Sequence, residues 1–222
     1  MLLGVSAAVV ASGAAGWYAY TVVRGRTRPH RVTFAVWTLI GALGVSSALE
    51  AGAGPGAYAA IVYAAVTAFV FLVSLVPGFG KPNAERRSDW LLGLVSCATL
   101  LAWSVTTLPT AAAATVAVGA EAAIAWPTIR EAWRQPRFEA AGPWLLGSVG
   151  CCMAVAAVEH FSYASASYPA FIALQELTVA FVLVARSRAL PRLLDDDHHA
   201  VRKTAQPAAR PYEIVDPIEK SK

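Results

Sequence analysis

The sequence predicts an all-α polytopic membrane protein whose seven transmembrane helices form two parallel three-helix repeats joined by a linker helix. Three observations predict it: few charged residues, the spacing of apolar segments and the placement of basic residues. Hydrophobic residues make up 57% of the 222-residue chain and charged residues 14%, whereas a soluble domain carries about 25% charged residues. Lipid offers backbone amides no hydrogen-bonding partner, so such a chain is expected to cross the bilayer as helices.

Seven apolar segments are long enough to be these helices, since a helix needs roughly 20 residues to cross the hydrocarbon core. Glycine and proline residues separate several of them, as at 52–56 and 77–80. The first segment carries Trp17, Tyr18 and Tyr20 where a cleavable signal would carry small residues, so we expect a retained helix. The predicted spans are residues 2–23, 32–50, 57–77, 90–108, 110–129, 142–160 and 167–185.

All 18 lysine and arginine residues fall on one side of this predicted topology. Basic residues of short loops stay in the cytoplasm. We therefore expect a multi-pass protein of the cell membrane with its amino terminus outside and its carboxyl terminus in the cytoplasm. The net charge of +4 then reflects topology and contact with the lipid bilayer, and no nucleic acid partner is expected.

A proline motif that occurs twice predicts the internal repeat. Trp37 follows Pro29 by eight residues, and Trp144 follows Pro136 by the same distance. Superposing the two prolines pairs the first three spans with the last three, so both triplets enter the membrane in the same direction. The predicted organisation is a transmembrane domain at 1–188 (repeat one 1–80, linker helix 88–108, repeat two 109–188) and a polar, disordered cytoplasmic tail at 189–222.

The second copy of this motif combines a proline within a helix, a basic turn, an acidic residue and a Pro-Trp pair. The residues are Pro127-Thr128, Trp133-Arg134, Glu139 and Pro143-Trp144. They resemble the SWEET and PQ-loop superfamily, whose members have a three-plus-one-plus-three helix arrangement, and residues 18–186 look like a bacterial seven-helix family of that fold. The resemblance implies small-solute transport and a gating role for Pro127, which is also compatible with a simple kink. Neither basic turn contains a Pro-Gln dipeptide.

Four glutamates lie inside predicted spans, where a carboxylate at the helix centre costs about 2.5–3.5 kcal/mol. Glu121 and Glu176 lie near the middle of spans five and seven, while Glu50 and Glu159 lie toward outer ends. His160 is the nearest basic partner, but it points about 100° away from Glu159 on the helix, so we expect protonated carboxyl groups at neutral pH. The alternatives are solvated interfacial positions for Glu50 and Glu159, and an interhelical hydrogen bond for Glu121.

The aromatic residues near the cytoplasmic ends of the spans are predicted to form an interfacial belt, with substrate stacking as the alternative. They are Trp17, Tyr18, Trp37, Trp126, Trp133 and Trp144.

A small-solute transporter is the first of three candidate functions. Its two bundles would rock about a midplane cavity, and the candidate residues for substrate or proton binding are Glu121, Glu176, Glu159, His160 and Trp126. Protonation of a carboxylate would couple solute movement to the proton gradient. Apolar solutes are included among the candidate substrates.

An intramembrane enzyme is the second candidate. Residues 176–182 resemble the seventh helix of the integral-membrane terpene cyclases of meroterpenoid pathways, and Glu50 matches the position of that family's other acid. The resemblance implies that Glu50 and Glu176 are catalytic and start the cyclisation of a prenylated substrate by protonation. Leu49 and Ala51 depart from the tryptophan and aromatic residue that the family carries around its first acid.

A receptor or assembly module is the third candidate, and no residue pattern specifically favours it. No lysine falls inside a predicted span, which excludes a rhodopsin-like photoreceptor. Cys97, Cys151 and Cys152 lie inside predicted helices and form no metal-binding pattern, and residues 195–199 are interpreted as a solvated charge run. No metal or cofactor is expected.

Overall fold

The computed structural model describes residues 2–50, 58–80, 85–106, 108–158 and 161–205, and it is all-α as predicted. Within these residues the chain forms seven α-helices, with a 3-10 turn at Pro136–Phe138. The helices are α1 Leu2–Val23, α2 Arg31–Glu50, α3 Tyr58–Leu75, α4 Arg87–Ser104, α5 Thr110–Arg134, α6 Ala141–Ala156 and α7 Tyr163–Ala205.

Several helices begin or end a few residues away from the predicted positions, and α4 and α5 are two examples. α4 begins at Arg87 instead of residue 90 because an Asp89 side-chain oxygen accepts a hydrogen bond from the Arg86 backbone N–H at 2.9 Å. Such a bond satisfies an amide that the helix start leaves unpaired. α5 continues past residue 129 to Arg134 and contains Pro127 in its interior.

The seventh helix extends to Ala205, whereas the sequence predicts a span that ends at 185 and a disordered tail from 189. Residues 189–205 are thus helical, and their leucine, arginine and alanine residues are good helix formers despite the polar composition. Residues 206–222 of the predicted tail lie outside the described residues. The chain divides into two compact units, Met1–Ser187 and Arg188–Lys222, and the packing described below belongs to the first.

The helix contacts follow a pattern that recurs in the two ends of the chain. α3 packs against α1 and α2. α7 contacts α5 and α6, because Gln175 donates a hydrogen bond to Glu121 and Ser148 donates one to the Ala173 carbonyl. Between these groups α1 packs against α6, and α2 packs against α5. These two contacts are equivalent in the repeat, because α1 corresponds to α5 and α2 corresponds to α6. α4 packs against α2 and α5.

Small residues bring the backbones of neighbouring helices close together. A Cβ atom at Gly150 of α6 would lie 2.9 Å from the Ala11 backbone nitrogen of α1. A Cβ atom at Gly41 of α2 would lie 2.9 Å from the Ala64 Cβ of α3. Close approach through glycine and alanine is typical of helices that pack without large side chains between them.

α4 has an inverted distribution of polarity. The residues on its buried face are small or polar apart from one leucine: Asp89, Gly93, Ser96 and Leu100. The residues on its exposed face are large and apolar: Trp90, Leu91, Leu94, Val95 and Leu101. A surface helix of a soluble protein shows the opposite pattern.

Two helical segments in the described part of the chain are long and apolar enough to cross a membrane, Leu2–Val23 and Ser165–Ala189. A signal sequence or the core helix of a soluble protein meets the same criterion. Three shorter apolar helical segments accompany them: Arg31–Leu43, Ile61–Leu75 and Ala141–Ala156.

Replacement of Gly150 by alanine is expected to destabilise the fold, because the new methyl group would overlap the Ala11 backbone. Overpacking of this kind costs about 1–3 kcal/mol. Gly119 of α5 is a matched control, since nothing lies within 4 Å of a Cβ atom there, and Gly→Ala in an open helix position stabilises by roughly 0.5–1 kcal/mol. Thermal unfolding of the purified variants should show Gly150→Ala below, and Gly119→Ala at or above, the parent protein. Equal melting temperatures would contradict the close α1–α6 packing.

Candidate functional site

A partly open cavity of about 110 Å³ lies between α1, α2, α3, α6 and α7. Small and aliphatic residues form much of its wall. Its remaining lining includes one carboxyl group, Glu176, and five aromatic side chains, namely Tyr18, Phe34, Trp37, Tyr63 and Trp144. For comparison, a dry cavity of about 150 Å³ accepts one benzene ring, so this space suits an occupant of a few heavy atoms.

Four of these aromatic side chains form a contiguous cluster against one another. Tyr18 stacks on Phe34 with ring centroids 5.3 Å apart, and Phe34 meets Trp37 edge-on at 5.0 Å. Trp144 contacts both Trp37 and Tyr18, at 5.9 and 5.4 Å. We call Tyr18, Phe34, Trp37 and Trp144 the aromatic cluster. It joins α1 and α2 to α6 at the wall of the cavity.

The predicted interfacial belt is wrong for Tyr18, Trp37 and Trp144, which are buried. Trp37 is only 4% exposed and Trp144 6% exposed. Their positions near helix ends suggested a belt, but the rotation of each helix turns these rings into the protein. Trp17, Trp126 and Trp133 have the exposed positions that a belt requires.

Glu176 of α7 points its carboxyl group at the cavity and at the backbone of α6. A Cβ atom at Gly147 would lie 2.5 Å from Glu176 Oε2 and 2.8 Å from Oε1, so the glycine leaves the space that the carboxyl group occupies. Glu176 Oε2 is buried and has no hydrogen-bond partner in the described part of the chain. An unsatisfied buried oxygen is uncommon in native proteins and indicates a proton, a water molecule or a ligand.

Glu121 of α5 lies behind the cavity wall and is 2% exposed. Its Oε1 accepts a hydrogen bond from Gln175 Nε2 of α7 at 3.1 Å, and the Trp37 and Tyr168 side chains lie close to the same carboxyl group. The Trp37 ring N–H makes no hydrogen bond within the described residues. Glu121 thus forms the interhelical hydrogen bond that was one of its two predicted roles, and it is not among the residues that line the cavity.

The other predicted site residues lie elsewhere. Trp126 is 57% exposed and lines a surface pocket beside Trp133, and Pro127 is buried inside α5. Glu50 is the last residue of α2, but its side chain falls outside the described residues, as do Glu159 and His160. The described residues contain no group of three or more histidine, cysteine, aspartate or glutamate side chains that could hold a metal ion.

A buried ionic cluster, which the sequence does not predict, joins the ends of three helices. Asp89 at the start of α4 is fully buried and receives two hydrogen bonds of 2.8 Å from Arg130 of α5. His30 Nε2, just before α2, lies 3.3 Å from the same carboxylate. Arg130 Nε also donates to Glu131 at 2.9 Å.

Threonine hydroxyl groups continue this arrangement toward the cavity. Thr33 Oγ1 lies 3.1 Å from His30 Nδ1 and donates to the Ile124 carbonyl of α5 at 3.3 Å. Thr128 Oγ1 donates to Thr33 Oγ1 at 3.2 Å. We call His30, Thr33, Asp89, Arg130 and Glu131 the Asp89 cluster.

The charges of this cluster shift the pKa values of its members in opposite directions. Burial alone would raise the pKa of the Asp89 carboxyl, but the hydrogen bonds and charge of Arg130 and the contact with His30 outweigh it, so the pKa lies below its ordinary value. The hydrogen bond to Asp89 raises the pKa of Arg130. Both groups are ionised at neutral pH, and the pair is a bidentate ion pair.

The sequence contains one signal for this cluster. Arg130 lies next to Glu131 near the end of a predicted helix, and Asp89 lies near the start of another. Such a placement indicates that the two helix ends can form an ion pair, but the basic residue also fits its predicted role as a marker of the cytoplasmic face.

The described fold is therefore a seven-helix bundle with an aromatic, carboxyl-containing cavity and a buried ionic cluster at three helix ends. No protein-family model, curated protein or solved structure matches the chain. Its function must accordingly be argued from its own residues.

Substitution of Asp89 by asparagine is expected to destabilise the protein by about 3–5 kcal/mol, because it leaves the largely buried Arg130 charge without its counter-charge. Arg87→Gln is the control, since Arg87 is exposed on the same helix and surface charges contribute about 0–1 kcal/mol. Thermal unfolding of the purified proteins at neutral pH measures both effects.

The difference in stability between the parent protein and Asp89→Asn has a defined pH dependence. The folded-state pKa of Asp89 is depressed, so its stabilisation is present above the unfolded value of about 3.9 and is lost as the pH falls through the folded value. The stability gap between the parent protein and Asp89→Asn should therefore close only in that acidic range. A gap that is unchanged at pH values well below it would contradict the ion pair.

Proposed function

We propose that the chain is a multi-pass membrane protein that moves a small solute through the cavity at Glu176. The observation that carries this proposal is the cavity itself, which combines an unsatisfied carboxyl oxygen with aromatic walls contributed by both ends of the chain. Membrane insertion, the repeat and the transport step each have separate support.

The exterior of the bundle supports insertion into lipid. Apolar side chains such as Leu72, Leu94 and Phe181 are more than half exposed, and α4 places its polar residues inside. Soluble monomers rarely expose large contiguous apolar surfaces, whereas lipid favours them. α1 and α7 supply the two longest apolar segments.

The contacts between loops support the placement of the basic loops on one face of the bundle. The three loops that carry basic residues, at 24–31, 81–87 and 130–137, follow the first, third and fifth predicted spans. A chain that crosses the membrane at every span brings all three loops to the same membrane face. Asp89 and Arg130 are paired at this end, and Arg31 lies 3.8 Å from Glu85. The Arg28 backbone also donates a hydrogen bond to the Phe138 carbonyl at 2.8 Å.

The contact pattern of the helices supports two triplets joined by a linker. In each triplet the third helix packs against the first two, and α4 contacts one helix from each. Trp37 and Trp144, which the repeat superposes, meet at 5.9 Å in the aromatic cluster. This arrangement agrees with the resemblance to the SWEET and PQ-loop superfamily.

The position of the cavity supports transport. Its walls come from α1, α2 and α3 of one triplet and from α6 and α7 of the other, and the interface between repeats is where transporters bind their substrates. Rocking of the triplets would separate Trp37 from Trp144 and open one end. The ionised and the protonated forms of Glu176 favour different states of the cavity. Protonation of this carboxyl group would therefore couple solute movement to the proton gradient.

Terpene cyclisation is the second candidate, and the carboxyl group of Glu176 among aromatic rings favours it. A protonated carboxyl can start such a reaction, and ring faces stabilise a carbocation. The cavity volume of about 110 Å³ argues against it, because drug-sized ligands occupy roughly 300–1,000 Å³ and a prenylated substrate is in that range. Transport of a small solute therefore fits the cavity better.

Reporter fusions test the membrane topology. A fluorescent protein fused after Lys222 should fold and fluoresce, because the carboxyl terminus is expected in the cytoplasm. Alkaline phosphatase, which is active only outside, should be inactive at the same position and active when fused within residues 52–56. The reverse pattern, or release of the protein from membranes by alkaline carbonate, would contradict the proposal.

Glu176→Gln is expected to reduce solute uptake by at least tenfold while leaving the protein folded. Proteoliposomes should be tested with neutral, anionic and cationic radiolabelled solutes, with and without a pH gradient. Glu85→Gln is the matched control, because it removes a carboxylate outside the cavity lining, and it should retain uptake within about twofold.

Incubation of the same membranes with prenylated substrates distinguishes the enzyme. A cyclised product that forms with the parent protein and disappears in Glu176→Gln, without uptake of any solute, would replace transport by cyclisation.

A further inference from the structure

We propose that the cavity at Glu176 selects small organic cations of the ammonium type over neutral solutes of the same size. This inference rests on the proposed function and names the substrate class of the same site. It is carried by the chemical composition of the cavity wall: one carboxyl group, five aromatic rings and no basic side chain among the described lining residues.

Charge is the first argument. Glu176 Oε2 lies buried with no hydrogen-bond partner in the described part of the chain, and a second carboxyl group, Glu121, lies close to the lining residue Trp37. A buried carboxyl group without a counter-charge keeps its proton, whereas one beside a positive charge can ionise. The described lining supplies no basic side chain, so a cationic occupant is the group that can displace this proton and pair with the carboxylate, whereas an anionic solute would meet two acidic groups.

The aromatic rings are the second argument. Ammonium groups are attracted to the faces of tryptophan, tyrosine and phenylalanine, and cages of such rings recognise methylated ammonium ions. Tyr18, Phe34, Trp37, Tyr63 and Trp144 surround the cavity from α1, α2, α3 and α6. A ring face can stabilise the methyl groups of such a cation, which water solvates poorly.

The small number of hydrogen-bonding groups on the wall argues against polyhydroxy solutes: among the described lining residues, the buried polar atoms without a partner are Tyr18 Oη, Trp37 Nε1 and Glu176 Oε2. The Thr67 hydroxyl group, which lines the cavity, already donates to the Ala64 carbonyl at 3.0 Å. Most of the remaining wall is alanine, valine, proline and ring carbon. A sugar would bury several hydroxyl groups without partners, each at a cost of about 1–3 kcal/mol.

An inorganic cation fits the cavity less well than an organic one. Ca²⁺ takes 6–8 oxygen ligands and Mg²⁺ requires octahedral coordination, whereas one carboxyl group is the only charged ligand on the wall. An ammonium ion with a few carbon atoms needs a single counter-charge and an apolar shell. The volume of about 110 Å³ is of the right order for such an ion.

Choline and its neutral carbon isostere, 3,3-dimethyl-1-butanol, separate charge from shape. Equilibrium binding of radiolabelled choline to the purified full chain should be displaced by tetramethylammonium, and the neutral isostere should compete at least tenfold more weakly. Glu176→Gln should reduce choline affinity at least tenfold and abolish the preference over the isostere. Glu85→Gln should bind choline as the parent protein does.

A second pair of variants tests the ring faces without touching the carboxyl group. Tyr63→Phe keeps a ring at the cavity wall and is the reference against which the loss of the ring is measured. Tyr63→Leu removes the ring and should weaken choline at least fivefold while changing the isostere much less. These variants keep the test decisive if Glu176→Gln proves unstable on heating.

The possible outcomes distinguish this inference from the proposed function. Absence of choline binding, equal binding of choline and its isostere, or full binding by Glu176→Gln would overturn the cation inference. If a neutral solute still enters proteoliposomes in a Glu176-dependent manner, transport stands and only the substrate class is wrong. If choline binds selectively but no solute moves, the cation site stands and the transport function is wrong.

Discussion

The ion pair between Asp89 and Arg130 is the interaction on which the rest of the bundle depends. It joins the start of α4 to the end of α5 by two hydrogen bonds of 2.8 Å, and His30 brings in the start of α2. Buried apolar side chains of the same helices, among them Val36, Leu100 and Ile124, belong to one core cluster. A buried ion pair contributes little net stability compared with an apolar core, but it specifies which groups must meet. Here it fixes the relative position of three helix ends.

That fixed end determines the geometry of the cavity. Thr33 belongs to the Asp89 cluster and donates to the Ile124 carbonyl, which ties α2 to α5 within the interior. Trp37 follows Thr33 by about one helical turn, and Glu121 precedes Ile124 by nearly a turn. The ionic cluster thus helps to hold in register the Trp37 indole, which lines the cavity and lies close to the second buried glutamate. Displacing Asp89 would shift the wall of the cavity as well as the helix ends.

The features that could be predicted from the sequence depend on composition and on the spacing of apolar segments. The features that could not be predicted depend on how each helix is rotated and on which charged side chains pair. Apolar runs bounded by glycine and proline predicted seven helices, and their low charge made Glu121 and Glu176 stand out. The sequence could not show that Trp37 faces inward while Trp17 faces outward, because both lie near helix ends in uniformly apolar segments. The sequence also could not show that Asp89 pairs with Arg130 in particular, because the two residues lie 41 positions apart.

The location of the ionic cluster makes the two ends of the cavity unequal in the proposed transport cycle. α4 contacts a helix from each triplet, and its Asp89 side chain bridges them at the end that carries the basic loops. Separating the triplets at that end breaks one of the two contacts of Asp89: the bidentate pair with Arg130 if α4 stays with α2, or the 3.3 Å contact with His30 if α4 stays with α5. Either loss occurs in a buried setting, where an unpaired charge is costly. At the opposite end of α5, the described contact with α7 is an exposed hydrogen bond between Thr115 and Tyr163, which costs little to exchange for water. The bundle is therefore held more firmly at the basic end, and access from that side requires Asp89 to give up one of its two partners, Arg130 of α5 or His30 before α2.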